Sequence, residues 1–148
     1  MSKNILVVLF TFFLLAGCAG TVPKLGVIDA QLMPCPETPN CVSSQALDTE
    51  HFIAPIDFNG SREQAQERLL QILKSSERTN ITVVEEDYIR VAFTSAIFRF
   101  VDDVEFYFPA VDSGKIIIHT RSASRIGYSD LGANRARIEL IRSKFNAY

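Results

Sequence analysis

The sequence has few of the side chains that most often carry catalysis or bind metals. Its 148 residues include only two histidines, His51 and His119, and three cysteines. No serine lies in a Gly-x-Ser-x-Gly elbow, and no pair of metal ligands is set at helical spacing. A triad of His119, Ser122 and Asp130 can be drawn, but proximity along the chain is weak evidence for one. We therefore expect a non-enzymatic module with no cofactor and no bound metal.

The chain also lacks an excess of positive charge and an apolar run long enough to cross a membrane. Its formal net charge is -2 at pH 7, which gives no electrostatic reason to expect nucleic acid as a partner. The apolar run from Ile5 to Leu15, interrupted only by Thr11, falls short of the ~20 residues that a bilayer span requires. With 47% hydrophobic and 22% charged residues, the composition is typical of one globular domain.

The first eighteen residues follow the order of a bacterial lipoprotein signal. Lys3 precedes the apolar run, which ends in Leu15-Ala16-Gly17-Cys18 and resembles the lipobox of lipoprotein precursors. We expect residues 1–17 to be a signal peptide and Cys18 to carry lipid, which anchors the protein to a membrane of the bacterial cell envelope. Because residue 19 is not Asp, resemblance to enteric lipoproteins implies the outer membrane, facing the periplasm. The alternative is an ordinary signal peptide or a buried helix with an incidental cysteine.

Once Cys18 carries lipid, two cysteines remain to form a disulfide. Residues 18–32 show no strong period and contain helix breakers, so we expect a tether that leads to a domain over residues 33–148. Cys35 and Cys41 stand in a proline-rich segment, and an oxidising compartment favours a bond between them. The alternative is a zinc site that also uses His51, but the spacing and the number of donors do not suit structural zinc.

The periodicity of residues 61–145 predicts an α+β domain. Ser61 and Gln64 have the spacing of a capping box, and an amphipathic helix is expected from there to about residue 75. Four strands are expected at 81–85, 88–95, 98–108 and 115–124, followed by a helix from 132 or 133 to 145. Short turns between the strands predict a four-stranded antiparallel meander, with an N-terminal and a C-terminal helix packed on one face.

Charged residues concentrate in the third expected strand and in the loop before the last helix. Alternation along the strand places Asp102 on the apolar face, where a carboxylate needs a partner or a bulge that turns it outward. The loop adds arginines and hydroxyls in one polar segment. The candidate ligand-binding residues are Arg99, Asp102, Asp103, Glu105, Arg121, Ser122, Ser124, Arg125, Tyr128, Ser129, Asp130, Asn134 and Arg135.

Three interpretations of this charged region remain open. In the first, Arg99, Arg121 and Arg125 satisfy the carboxylates while Ser129 or Asp130 caps the last helix, and the region is structural. In the second, arginines and free helix amides bind an anionic small molecule, or the loop binds an envelope protein. In the third, the protein is an enzyme that acts on an envelope component or an anionic small molecule. Its residues would be Asp102, Asp103, Arg121, Tyr128 and Asp130.

Three segments resemble domain-of-unknown-function family 1499. The first runs from Pro34 through both cysteines to Ser44 and continues to Pro55. The second covers residues 98–105, and the third covers residues 121–132 together with Asn134 and Arg135. The resemblance extends over residues 33–143. It implies the family and the fold, and it transfers no ligand and no catalytic residue.

Overall fold

The computed structural model, which describes residues 20–110 and 114–147, shows an α+β fold. The predicted signal peptide and Cys18 lie outside these described residues. The described elements are β1 (Val27–Ile28), β2 (Gln31–Leu32), β3 (Cys41–Ser43), β4 (Ile56–Asn59), α1 (Arg62–Lys74), β5 (Thr79–Val84), β6 (Tyr88–Thr94), β7 (Val101–Tyr107), β8 (Lys115–Ser124) and α2 (Ala133–Asn146). No helix in these described ranges is long and apolar enough to cross a membrane.

Within the described residues, the main sheet has six strands and is antiparallel throughout. Its order is β3-β8-β7-β6-β5, and β4 pairs with the first half of β8. Strand β8 has ten residues, so it can pair with two short strands in succession. Its first half pairs with β4, where Ile118 lies opposite Ile56, and its second half pairs with β3, where Ser122 lies opposite Val42. A separate two-stranded sheet joins β1 to β2.

The prediction of a four-stranded meander is therefore wrong. Its four strands correspond to β5 through β8, but β3 and β4 extend the sheet to six strands and the β1–β2 hairpin adds a second sheet. Strands of two to four residues carry too little alternation to be recognised in the sequence, and the pairing of β3 and β4 is decided by long-range contact with β8. The bounds of both helices also differ by about one residue from the predicted ones.

The third predicted strand begins later than the sequence pattern indicated. Arg99 has a φ of 58°, which interrupts extended backbone, so β7 starts at Val101. A loop over residues 95–100 is closed by Ser95 N donating to Phe100 O at 2.8 Å and by Phe100 N donating to Ser95 Oγ at 2.9 Å. The aromatic side chains of this loop are therefore not part of the sheet.

Both helices cover the same face of the sheet. The capping box predicted for α1 is present, with Gln64 N donating to Ser61 Oγ at 3.3 Å and Ser61 N donating to Gln64 Oε1 at 3.0 Å. The helices and strands share one buried core. Its members include Ala65, Leu69, Ile72 and Leu73 from α1, Ile138, Ile141 and Phe145 from α2, and Ile89, Val91, Val104 and Phe106 from the sheet.

The opposite face of the sheet is covered by residues 20–32, which we call the strap. Leu32 is buried against Tyr88 and Tyr107, and Arg90 Nη1 donates to Pro23 O at 3.3 Å. The segment expected to be a tether thus contains a hairpin and packs on the domain from Gly20 onward. The predicted disulfide between Cys35 and Cys41 is confirmed, and a loop this short stabilises the fold by about 2 kcal/mol in the chain-entropy model.

Candidate functional site

Strand β7 divides the predicted site residues between the two faces of the sheet. Asp102 points to the helix side, where its carboxylate accepts a hydrogen bond from Arg137 of α2. Asp103 and Glu105 are both buried, and their partners lie on the strap side. This division follows from the two-residue period of a strand, because adjacent side chains point to opposite faces.

On the strap side, Asp103 is held by two arginines. Its Oδ1 accepts from Arg90 Nη2 at 2.8 Å, and its Oδ2 accepts from Arg125 Nε at 2.7 Å. Burial by itself raises the pKa of the Asp103 carboxyl, but the hydrogen bonds from Arg125 and Arg90 outweigh it and hold that pKa below its usual value. The carboxylate is therefore charged and fully engaged at neutral pH.

Glu105 forms a second buried group on the same face. Its Oε2 accepts from Arg121 Nη1 at 3.1 Å, and its Oε1 accepts from the Tyr88 hydroxyl at 2.8 Å. Burial raises the pKa of Glu105 despite the Arg121 charge, and burial likewise raises the pKa of Tyr88. We refer to Tyr88, Arg90, Asp103, Glu105, Arg121 and Arg125 as the buried charge cluster.

An open cleft of about 500 Å³ lies at the end of the sheet where β6 ends and β7 begins. Its walls come from the loop over residues 95–100 and from the loop between β8 and α2. The apolar wall residues are Ile97, Phe98, Phe100, Ile126 and Leu131. Phe98 and Phe100 stack with ring centroids 5.7 Å apart. Arg99 and Leu131 have positive φ values of 58° and 55°, so each wall contains a residue in a conformation that is costly outside glycine.

The floor of the cleft is polar. Asp102 and Arg137 form an ion pair there, and the Arg137 guanidinium lies 4.9 Å from the centroid of the Phe93 ring. Arg137 Nη1 also donates to Asn134 Oδ1 at 2.7 Å and to Ser122 Oγ at 3.2 Å. The cleft thus combines apolar walls with a charge pair that is supported from beneath.

Asn134 connects the floor of the cleft to the sheet. The side chain is fully buried and its Nδ2 donates to Asn40 O and to Ser124 Oγ, each at 3.0 Å. Asp130 completes the start of α2, since its carboxylate accepts from Gly132 N at 3.0 Å and from Asn134 N at 2.7 Å. These contacts fix the second wall of the cleft relative to β3 and β8.

Comparison with known proteins assigns a family but no activity. The model of one family, Protein of unknown function (DUF1499), matches residues 31–145, which is most of the chain. The chain belongs to the DUF1499 family. No curated protein matches it. The resemblance found in the sequence is thereby confirmed, and the description of the family names no ligand or reaction.

The DUF1499 domain places the predicted site residues in four groups. Four of them, Asp102, Ser124, Ser129 and Asp130, line the cleft. Four more, Asp103, Glu105, Arg121 and Arg125, belong to the buried charge cluster, and Ser122 and Asn134 lie in the network under the cleft floor. The remaining residues are on the surface: Arg99 and Tyr128 are exposed, and Arg135 donates to Glu50 O and Phe52 O.

Sequence reasoning missed three partners of the carboxylates: Tyr88, Arg90 and Arg137. A signal existed for Arg90, because β6 alternates and Arg90 stands on the face opposite Ile89 and Val91. No comparable signal in the sequence pointed to Arg137. Its position on α2 is next to the stripe of buried residues and not within it, as is common for exposed arginines. The apolar walls of the cleft were missed because residues 98–100 were assigned to a strand.

The zinc and triad alternatives are not supported by the positions of their residues. Cys35 and Cys41 are joined in the disulfide, and His51 Nδ1 lies 2.8 Å from Asp48 Oδ1. His119 Nδ1 lies 3.1 Å from Ser44 Oγ, whereas Ser122 Oγ donates to Asn134. In residues 20–110 and 114–147, no group of three or more His, Cys, Asp or Glu side chains is arranged to hold a metal.

Proposed function

We propose that this protein is a non-enzymatic binding module of the bacterial cell envelope, anchored by lipid on Cys18 in the outer membrane and facing the periplasm. Support for the anchor comes from the order of charge, apolar run, small residues and cysteine in the first eighteen residues. The disulfide between Cys35 and Cys41 suits an oxidising compartment.

The cleft is the observation that carries the binding proposal. A volume of about 500 Å³ is in the range of small-molecule sites, and such sites combine apolar walls with a few fixed polar groups. Here the walls offer aromatic and branched side chains, and the floor offers the Asp102–Arg137 pair. The complementary ligand is an amphiphile, with an apolar body against the walls and a compact polar group at the floor.

The buried charge cluster is a weaker candidate for an anionic ligand. Arg121 and Arg125 each donate to a carboxylate, and the cavity beside them is only about 170 Å³. Thr21, Pro23 and Leu25 of the strap line this cavity, so an anion would have to displace the strap and compete with two carboxylates. The cluster is better explained as a structural network, because each of its three arginines already donates to one of its two buried carboxylates.

The residues of the enzyme alternative do not converge on one point. Asp103 and Arg121 lie on the strap side of β7, whereas Asp102 and Asp130 line the cleft on the other side. Tyr128 is exposed and does not line the cleft. We therefore propose binding and not catalysis.

A pair of matched tryptophan substitutions tests the ligand proposal. Ala133 lines the cleft at the start of α2, and Ala147 follows the end of the same helix; both are exposed. Protein extracted from its native membranes would be analysed by mass spectrometry for co-purifying small molecules. An amphiphile should accompany the wild type and Ala147→Trp and be lost from Ala133→Trp. Equal recovery with both variants would show that the cleft is not the binding site.

A separate experiment tests the anchor. Cells grown with labelled fatty acid should transfer label to the wild-type protein, and mass spectrometry should locate it on residue 18. A Cys18→Ser variant should remain unlabelled and should not fractionate with the outer membrane. A Cys18→Ser protein that matures and localises like the wild type would contradict the proposed anchor.

A further inference from the structure

The described chain begins at the wall of the cleft. Gly20 has a φ of +65°, and a Cβ atom added to it would lie 2.8 Å from Arg125 Cβ and 2.9 Å from Ile126 Cγ2. Ile126 is one of the apolar wall residues. From Gly20 the strap leads away across the sheet, passing Arg90 at Pro23. The end of the strap nearest the proposed anchor is therefore also the end nearest the cleft.

Only Ala19 separates Gly20 from Cys18 in the sequence. An extended chain spans at most about 3.6 Å per residue, so covalent geometry limits the distance between the Cα atoms of residues 18 and 20 to ~7 Å. Because acyl chains on Cys18 insert into the bilayer, the short connection to Gly20 keeps the cleft close to the membrane surface. Lipid on Cys18 thus sets a short limit on the distance between the cleft and the bilayer.

The side chains around the opening of the cleft suit a membrane surface. Ile97 is 82% exposed and Phe98 70% on one loop, and Leu131 is 96% exposed and Tyr128 73% on the other. Apolar residues exposed together in this way mark a surface that contacts another body, and aromatic residues favour the bilayer interface. The two loops together therefore present the apolar face that such an interface accepts.

The charge of the rim is complementary to anionic headgroups. Arg99 stands between Phe98 and Phe100, is exposed, and forms no ion pair with any residue that the structure describes. The carboxylate of Asp130 is turned toward the backbone amides at the start of α2. A cation beside apolar side chains is the combination that binds an anionic leaflet surface.

We propose that the loops over residues 95–100 and 125–132 form a membrane-contact surface, so that the cleft opens onto the same bilayer that holds the anchor. The inference rests on the proposed function, because it requires lipid on Cys18. It extends that function by giving the ligand a source: an amphiphile enters the cleft laterally from the membrane. Arg99 positions this surface by contacting anionic headgroups.

The absence of tryptophan from the sequence makes the contact directly measurable. Leu131→Trp and Ile97→Trp each place one reporter on a loop of the cleft, at exposed positions where the larger side chain extends into solvent and not into the core. Val84→Trp is the control, because Val84 is 53% exposed at the end of β5 remote from the cleft. Each mature lipidated variant would be reconstituted into anionic vesicles with and without bromine on the acyl chains.

Brominated lipid should quench the emission of Leu131→Trp and Ile97→Trp and leave that of Val84→Trp unchanged. In the double variant Arg99→Gln/Leu131→Trp, the equilibrium ratio of membrane-inserted to withdrawn loop should be about five-fold lower than in Leu131→Trp alone. This is the change expected when one contact between an arginine and a headgroup is lost. Lipidated protein in which neither loop reporter is quenched more than the control would overturn the membrane-contact surface and leave the anchor intact. Protein that mass spectrometry shows to be without lipid on Cys18 would overturn the anchor and this inference together.

Discussion

A single ion pair, between Arg137 and Asp102, forms the charged floor of the cleft. The Asp102 side chain is 8% exposed and that of Arg137 is 16% exposed, so neither group is well solvated. Removing one partner of such a pair leaves an uncompensated charge in a poorly hydrated place, which costs more than the pair itself contributes. The consequence should be visible in the free energy of unfolding.

Asp102→Ala should lower the free energy of unfolding by about 2–4 kcal/mol, because Arg137 loses its carboxylate while remaining largely buried. The matched control is Glu86→Ala, which removes the partner of Arg62 from a pair in which Glu86 is 90% exposed and should cost less than ~1 kcal/mol. Urea denaturation monitored by circular dichroism measures both. Equal losses in the two variants would mean that the floor of the cleft is as hydrated as the surface.

The lowered pKa of His119 predicts how the free energy of unfolding depends on pH. Burial lowers the pKa of its ring below the ordinary value of 6.5, so the unfolded chain binds a proton more readily than the folded protein. The stability that neutral His119 contributes is fully present above pH 6.5 and is lost as the pH falls toward the folded pKa. Unfolding curves from pH 7.5 to 5 should therefore show a smaller loss of stability for His119→Gln than for the wild type.

The comparison between wild type and His119→Gln isolates the histidine from Glu105. Burial raises the pKa of Glu105, which makes the folded protein bind a proton more readily just above pH 4.5 and opposes the histidine effect. Because Glu105 is present in both proteins, its contribution cancels in the difference. Identical pH profiles for the two proteins would contradict the lowered pKa of His119.

At the scale of secondary-structure elements, α2 begins with an unusual cap. Its N-cap residue, Gly132, has a φ of 82° and offers no side chain to the first turn. Asp130 supplies the missing acceptor from two residues earlier, by binding the amides of Gly132 and Asn134. A carboxylate at this end is also favoured by the helix dipole. The orientation of the second cleft wall thus depends on Asp130.

Asp130→Ala should lower the free energy of unfolding by about 1–2 kcal/mol, the usual cost of losing an N-terminal cap. Ser129→Ala is the control, because the Ser129 hydroxyl accepts one exposed contact from Leu131 N at 3.3 Å and its loss should cost less than ~0.5 kcal/mol. Thermal unfolding followed by circular dichroism compares them. If the two losses were the same, the start of α2 would be held by packing alone.

The elements differ in how far local sequence determines them. α1 was predictable because its capping box and its apolar stripe both lie within fourteen residues. β3 and β4 were not, since strands of three and four residues take their conformation from the partner strand β8. The loop over residues 95–100 imitates a strand in its alternation, and only the left-handed backbone of Arg99 ends the pattern.

The candidate site shows the same limit. Alternation correctly placed Asp102 on the helix side of β7, and the need for a partner followed from the cost of burying its charge. The partner itself, Arg137, stands thirty-five residues away, and no local pattern connects the two. The cleft was not foreseen at all, because it exists only where two loops from distant parts of the chain meet.

At the scale of the whole molecule, the sheet separates two layers of different character. The helix side has a large apolar core, whereas the strap side has the buried charge cluster and a small apolar group of Leu32, Tyr88 and Tyr107. The strap contributes few buried side chains of its own, so little free energy opposes its detachment. Regions with few buried contacts open locally without unfolding the rest.

This asymmetry predicts two levels of stability in one domain. Leu32→Ala removes the buried side chain that holds the strap against Tyr88 and Tyr107, and amide hydrogen exchange over residues 20–36 should accelerate. Exchange in α1 and β6 should stay at the wild-type rate. Leu69→Ala, in the main core, should instead accelerate exchange throughout the domain, with a loss of about 2–5 kcal/mol in global stability.

The alternative is that the strap and the helix layer unfold as one cooperative unit. In that case Leu32→Ala would accelerate amide exchange in α1 as much as in the strap. Leu32→Ala and Leu69→Ala would then differ only in how strongly they accelerate exchange. Lifting of the strap hydrates the side chains of Asp103 and Glu105 but leaves the backbone ladder of β7 with β6 and β8 intact. Faster exchange confined to residues 20–36 in Leu32→Ala, with α1, β6 and β7 unchanged, is the pattern that two independent layers require.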